Sequence, residues 1–288
     1  WQSMLAKMPV YELNENGEIR EWLWGDLQDN HQHRHASQLF GLYDLHDPLI
    51  MESDSLQVGC KKAIDKRMEI RRKDDGGVMA FGMIQLAFSA CALGEEETTY
   101  DILKWLGNCY WNNNMVSTHD PGKTFNVDIC GGYPSLVMKM LAYAEPGLVS
   151  LLPCTPREWS EGSLKGAALR GGIVINDLSW SGENITATLV SRIEQTVKVE
   201  LRGQYVEDIE LKAGMPQTIS FETGLRRFFR IILLYGLPGV SPMSAPRLTV
   251  SRAFPALRGV CAPYAAGGCD LFSPAGRQPL SLRPASSS

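Results

Sequence analysis

A chain of 288 residues with 44% hydrophobic and 21% charged side chains can bury the core of one large domain or two modest ones. Its formal net charge of −4, with the five histidines counted neutral, offers no basic face for nucleic acid or anionic lipid. The longest apolar stretches, 83–93 and 228–234, fall short of the roughly 18 apolar residues that a membrane-spanning helix needs.

The chain opens Trp1-Gln-Ser-Met, with neither an initiator methionine nor a basic leader, and is expected to be part of a longer protein. Val10–Leu13 and Glu18–Trp22 read as two short strands around Asn14-Glu-Asn-Gly17, where Gly17 can adopt positive φ. The exit of that hairpin, Glu21-Trp22-Leu23-Trp24, sets a carboxylate beside two indoles. Such a pairing of acceptor and flat apolar ring suits a sugar, and equally suits a hairpin that packs its tryptophans on the core.

The stretch His31-Gln-His-Arg-His35-Ala-Ser-Gln-Leu-Phe-Gly-Leu-Tyr43 holds three of the five histidines at alternate positions. Extended backbone would put His31, His33 and His35 on one face and Arg34 on the other, whereas a helix would bring only nearest-turn pairs together. A metal site, a solvated loop and a polar cluster that hydrogen-bonds a ligand all fit alternating histidines, but the chain has no His-Glu-x-x-His. Leu39, Phe40, Leu42 and Tyr43 tie the tract to a core.

Helical spacing then recurs. Leu56, Cys60, Ala63, Arg67 and Ile70 predict a helix over 53–72, started by Ser53 or Ser55, whose basic C-terminal end suits the helix dipole and reads as a solvated face. Gly76-Gly77 punctuates, and 78–93 is apolar nearly all round, as an inner helix would be. A further helix starts near Thr98 and runs through Ile102, Trp105, Leu106 and Cys109. Residues 112–132 begin too polar for core and then set Asp128 between Val127 and Ile129, just ahead of Gly131-Gly132. Pro134 fits a first helical turn, so Asp128 is expected in the loop feeding that helix, as a turn residue or as a functional carboxylate.

Pro153 and Pro156 forbid helix and mark a boundary, after which the apolar period changes from 3.6 to 2 at Ile185-Ala187-Leu189, Val197-Val199-Leu201, Ile209-Leu211 and Ile219-Phe221. From Gly236 onward there is no lysine, one acidic residue and abundant Pro, Ala, Gly and Ser, which predicts a low-complexity, disordered tail. The seven cysteines include no C-x-x-C pair and lie mostly in apolar helical patterns, which favours buried thiols in a reducing, cytoplasmic compartment over a disulfide framework; localisation itself stays unassigned.

The run His33-Arg34-His35-Ala36-Ser37-Gln38-Leu39-Phe40-Gly41-Leu42-Tyr43 resembles the His-Arg-His-x-Ser-His-Leu-x-Gly-Leu-Tyr signature of glycoside hydrolase family 95, the exo-acting α-L-fucosidase and α-L-galactosidase family, with Gln38 where the family has histidine. Gly17-x-x-x-Glu21-Trp22 is similar to a family element shortly before that signature, and 112–132 is similar to the family's Asn-Leu-x-x-x-His and Phe-Gln-Ile-Asp-Gly-x-x-Gly elements. Leu151-Leu-Pro-Cys-Thr-Pro-Arg-Glu-Trp159 resembles its linker out of the catalytic region.

The resemblance implies an α+β multidomain chain. Its expected parts are the C-terminal half of an (α/α)6 helical barrel over 1–155, an all-β sandwich-like domain over 156–235, and the tail over 236–288. It implies hydrolysis of terminal glycosidic bonds with inversion and a carbohydrate as partner, without nucleic acid, membrane, metal or cofactor. Asp128 then stands on the water-activating side; His33, Arg34, His35, Glu21, Trp22 and His119 are candidate substrate contacts. The acid glutamate lies, in the family, ahead of the region matched here. A phosphorylase on a similar helical barrel and a non-catalytic carbohydrate-binding fragment are the alternatives.

Overall fold

The computed structural model describes residues 1–73 and 79–222, so Gly76-Gly77 and the tail from Gly236 lie outside the described residues. Helices come first and strands second. After the one-turn helix α1 (Gln2–Leu5), an irregular segment leads through a 3₁₀ turn (Ser37–Leu42) to α2 (Pro48–Met51), α3 (Asp54–Lys73), α4 (Ala80–Ala92), α5 (Glu96–Cys109) and α6 (Asp128–Leu141). A small hairpin of β1 (Thr118–Asp120) and β2 (Lys123–Phe125) separates the last two. Among the described residues no helix is long and apolar enough to cross a membrane.

Each helix follows from its spacing. On α3, Cys60, Ala63, Ile64, Arg67, Met68 and Arg71 form the buried stripe, and Ser53 Oγ accepts from the Leu56 N–H at 3.4 Å to start it. The basic end is not a solvated face throughout: Arg72 and Lys73 are exposed, but Arg67 and Arg71 are 0% and 2% exposed. The buried positions of α4 reach all round it, from Ala80 and Gly82 to Ala90 and Cys91. Helix α5 starts at Glu96, ahead of Thr98, because Glu96 and Glu97 suit the positive end of the dipole. Pro134 lies inside α6 instead of in its first turn, since Asn126 Oδ1 accepts from the backbone N–H groups of Asp128 (2.9 Å) and Ile129 (3.4 Å) and starts the helix six residues before the proline.

The expected hairpin near the N-terminus is reduced to one bridge, Leu13 to Ile19, around the turn in which Gly17 has φ of 72°. Its flanks hydrogen-bond to α3 and to each other too irregularly to make strands, as when the Ile19 N–H donates to the Gly59 carbonyl.

The strands build two four-stranded sheets. One, in the order β10-β7-β6-β5, uses β5 (Glu161–Ala168), β6 (Ile173–Ser181), β7 (Asn184–Ser191) and β10 (Pro216–Glu222), all antiparallel. The other, in the order β3-β4-β8-β9, uses β3 (Ala142–Glu145), β4 (Leu148–Leu151), β8 (Gln195–Leu201) and β9 (Gln204–Leu211), with β4 and β8 parallel. Val149, Leu151, Val197 and Val199 from one sheet share a core with Ile173, Ile175, Ile185 and Leu189 from the other. The Ala213-Gly214-Met215-Pro216 turn therefore carries the chain between sheets, not between paired neighbours.

The change from helix to strand falls at Ala142, not at the prolines. Strands β3 and β4 precede Pro153 because their apolar residues belong to the β core, and β8, which completes their pairing, follows three strands of the other sheet in the chain. The proline segment instead folds back on α6: the Cys154 N–H and Thr155 Oγ1 both donate to the Met140 carbonyl, at 3.2 and 2.9 Å.

His46 lies where the helical part meets the β part, stacked on Tyr143 of β3 with ring centroids 4.1 Å apart and planes 8° from parallel. Lys139, Arg170 and Asp44 surround it, and burial, then Lys139 and Arg170, push its pKa down to about 4. The unfolded chain titrates near the ordinary 6.5 and so binds the additional proton between those values. Stability contributed by neutral His46 is full above about pH 6.5 and is lost as pH falls toward 4, by about 3 kcal/mol. His46→Phe keeps the stack but cannot titrate, so urea midpoints measured from pH 7 to pH 4 should fall more shallowly for the variant than for wild type.

Candidate active site

The segment before the histidine tract is fixed by its own carboxylates. Asp29 accepts from the Glu21 backbone N–H (2.8 Å) and from Asn14 Nδ2 (2.7 Å), and Glu18 Oε2 meets His31 Nε2 at 2.7 Å. Glu21 Oε2 accepts from the Asn30 backbone N–H at 2.8 Å and from Arg67 Nη2 at 3.2 Å, with its side chain only 6% exposed. Glu21 is thus an inward anchor and not an open acceptor beside the indoles. Trp22 and Trp24, 42% and 70% exposed, do face solvent.

The tract is neither strand nor helix up to Ala36, so His31 leaves the row and turns to Glu18. His33 and His35 stay together with ring centroids 5.3 Å apart, edge to face, and His35 meets Phe81 of α4 in the same way at 5.4 Å. His33 Nδ1 lies 3.2 Å from the His35 backbone N and 3.4 Å from the His35 carbonyl, which ties its ring to the backbone of the tract. Burial and the neighbouring Arg34 and His33 hold the pKa of His35 below its ordinary value. Arg34 is exposed, and its carbonyl lies against Gly82 of α4.

Asp128 is exposed at the first position of α6, and Asn126 Nδ2 donates to its Oδ2 at 2.5 Å. Asn126 is itself buried: its N–H donates to the Ser117 carbonyl at 3.0 Å, and Ser117 Oγ donates back to its carbonyl, at the base of the β1–β2 hairpin. His119 stands on that hairpin, half-buried, with Nδ1 3.2 Å from Asp120 Oδ2. The hairpin and the role of Asn126 are absent from the spacing analysis above, although Asp120-Pro-Gly122 is a turn signal and Asn-x-Asp before a helix is a capping signal.

Helices α4 and α6 run parallel. A Cβ on Gly132 would lie 2.8 Å from Ile84, and further along both helices Lys139 Nζ is 5.1 Å from the Phe88 ring. The N-terminal end of α6, with Asp128, therefore lies at the same end of the helical layer as Phe81 and the tract packed on it. A carboxylate at that end can accept a proton from water, while imidazole N–H and guanidinium groups donate to ligand hydroxyls. A surface depression of about 320 Å³, lined by Asp65, Met68, Glu69, Arg72, Lys73 and Thr98, is a less suitable site, because Lys73 pairs with Glu69 and Arg72 with Asp101.

Residues 1–141 match the family model described as the glycosyl hydrolase family 95 catalytic domain, and residues 144–230 match that of the family's C-terminal domain. The chain belongs to glycoside hydrolase family 95. The two matched spans of this family 95 chain meet where α6 gives way to β3. Curated relatives include alpha-L-fucosidase 2 of Arabidopsis thaliana, 29% identical over 188 residues, which covers 62% of this chain and 22% of the relative. Probable alpha-fucosidase A of Aspergillus oryzae is 28% identical over 211 residues, covering 64% of this chain and 28% of the relative. The chain thus spans about a quarter of the length of these two relatives.

Proposed function

We propose that this chain is the C-terminal part of an inverting, α-L-fucosidase-like glycoside hydrolase, with α3 to α6 belonging to an (α/α)6 barrel and the two sheets forming the domain that follows it. The observation that carries the reading is the common end of α4 and α6, where His35 packs on Phe81 and Asp128 opens α6. The names of the two relatives support fucose as the sugar. Asp128 takes a proton from water as the water oxygen attacks the anomeric carbon, and Asn126 holds the carboxylate in place. A carboxylic acid outside this chain protonates the departing glycosidic oxygen, about 6.5 to 9.5 Å from Asp128, so that the water fits between them. His33, Arg34, His35 and His119 bind sugar hydroxyls, with Trp22 as an apolar platform; Glu21 supports the loop from beneath.

The parent-length protein should hydrolyse aryl α-L-fucosides and release the β-anomer first, read by proton NMR before mutarotation. Initial release of the α-anomer would refute inversion, and a sugar 1-phosphate formed only with added phosphate would establish a phosphorylase instead.

A further inference from the structure

The backbone of His33, Arg34 and His35 forms no ladder or helix, yet three successive carbonyl oxygens turn inward while the His33 and Arg34 side chains are exposed. Inward carbonyls in an irregular segment need donors from another element. Helix α3 supplies them from two positions one turn apart. Arg67 Nη1 donates to the carbonyls of His33 (2.9 Å) and His35 (2.8 Å), and Arg71 Nη2 donates to those of His33 (3.3 Å) and Arg34 (3.0 Å). Arg67 also reaches Glu21 at 3.2 Å and Gln38 at 3.5 Å, so one guanidinium gathers both flanks of the tract.

Stability alone does not select this arrangement. Two cations lie side by side in a core that includes Ile64 and Met68, and Glu21 is the carboxylate that pairs with Arg67. Burial, then the charge of Arg67, brings the pKa of Arg71 down to about 10. Apolar side chains at both positions would avoid the desolvation of two like charges. What the two guanidinium groups provide is a rigid fork with several donors at fixed angles, which a flexible ammonium cannot reproduce.

We infer that Arg67 and Arg71 are positioning residues, which clamp the backbone of 33–35 and thereby aim the His33, Arg34 and His35 side chains toward the end of the helical layer that carries Asp128. The effect on turnover rests on the glycosidase reading; the clamp itself does not.

The five histidines allow a test by imidazole ¹⁵N NMR on the 288-residue chain. In Arg67→Lys and Arg71→Lys, the His33 and His35 signals should move while those of His46 and His119 stay. Ile64→Val, a core change on the same helix, should lower the melting temperature without moving His33 or His35. Unchanged His33 and His35 spectra in both lysine variants would overturn the clamp. Should neither variant fold, the wild-type protein decides: clamped guanidinium groups give separate, slowly exchanging Nη–H signals for Arg67 and Arg71, and freely averaged signals would overturn the proposal. In the parent-length enzyme, Arg71→Lys should lower kcat/KM on the order of 10²-fold, with Ile64→Val near wild type. A parent that hydrolyses no glycoside would defeat the proposed function, and the imidazole spectra would still decide the clamp.

Discussion

Asp128→Asn in the parent-length enzyme should lower kcat by about 10²- to 10⁴-fold and change KM little, because a general base acts in the transition state and not in ground-state binding. The amide keeps the size of the carboxylate and an oxygen that can accept from Asn126 Nδ2, so the geometry survives while the proton acceptor is lost. Folding should barely respond. Asp128 is exposed, the first turn of α6 is capped by Asn126 Oδ1, and the amide can still accept from Asn126 Nδ2, so the substitution removes only the dipole interaction of the charge, about 0.3 to 1 kcal/mol. Asn126→Ala should behave differently, losing about 0.5 to 2 kcal/mol of stability with the cap and also lowering kcat as Asp128 loses its support. Near-normal kcat in Asp128→Asn, with a lowered melting temperature, would end the catalytic assignment. The 288-residue chain alone should show no hydrolysis above background; turnover that depends on Asp128 would place the acid within it.

Gly82→Ala should destabilise the helical part by about 3 kcal/mol or more and displace the histidine tract. An added Cβ would lie 1.9 Å from the Arg34 carbonyl oxygen and 3.0 Å from its carbonyl carbon. Those are backbone atoms, and the same oxygen accepts from Arg71, so the tract cannot move away without breaking its buried hydrogen bond. Gly82 is itself buried in the first turn of a helix whose buried positions reach all round it, so the helix cannot easily recede either. Gly131→Ala is the control: it adds a methyl on α6 with open space around it and removes a flexible residue from a helix, so it should be neutral to mildly stabilising. Thermal melts of the two variants, with imidazole spectra for the tract, separate the effects; a Gly82→Ala protein with unchanged melting and unchanged His33 and His35 signals would show that the close approach is not required.

Helical spacing and the later alternation of apolar residues are local properties of the chain, and so α3, α4, most of α5 and the pairing-competent strands from Ile185 to Phe221 were legible without tertiary information. The eleven-residue run from His33 to Tyr43 was specific enough to point to family 95, because its composition is unusual for core, turn or surface. Other features depend on partners distant in sequence. Whether Arg71 faces water or protein is decided by the carbonyls of residues 33 and 34, more than thirty positions away. Glu21 reads as an open acceptor until Arg67 turns it inward, and His31 reads as part of a row until Glu18 removes it. Strands β3 and β4 read as the end of the helical part because, beyond their own short hairpin, β4 finds its second partner only in β8, after three strands of the other sheet have intervened. Periodicity thus determined which segments become helix or strand and where the candidate chemistry lies; buried charge and long-range pairing, which take their energy from neighbours that spacing does not encode, were decided by the tertiary structure alone.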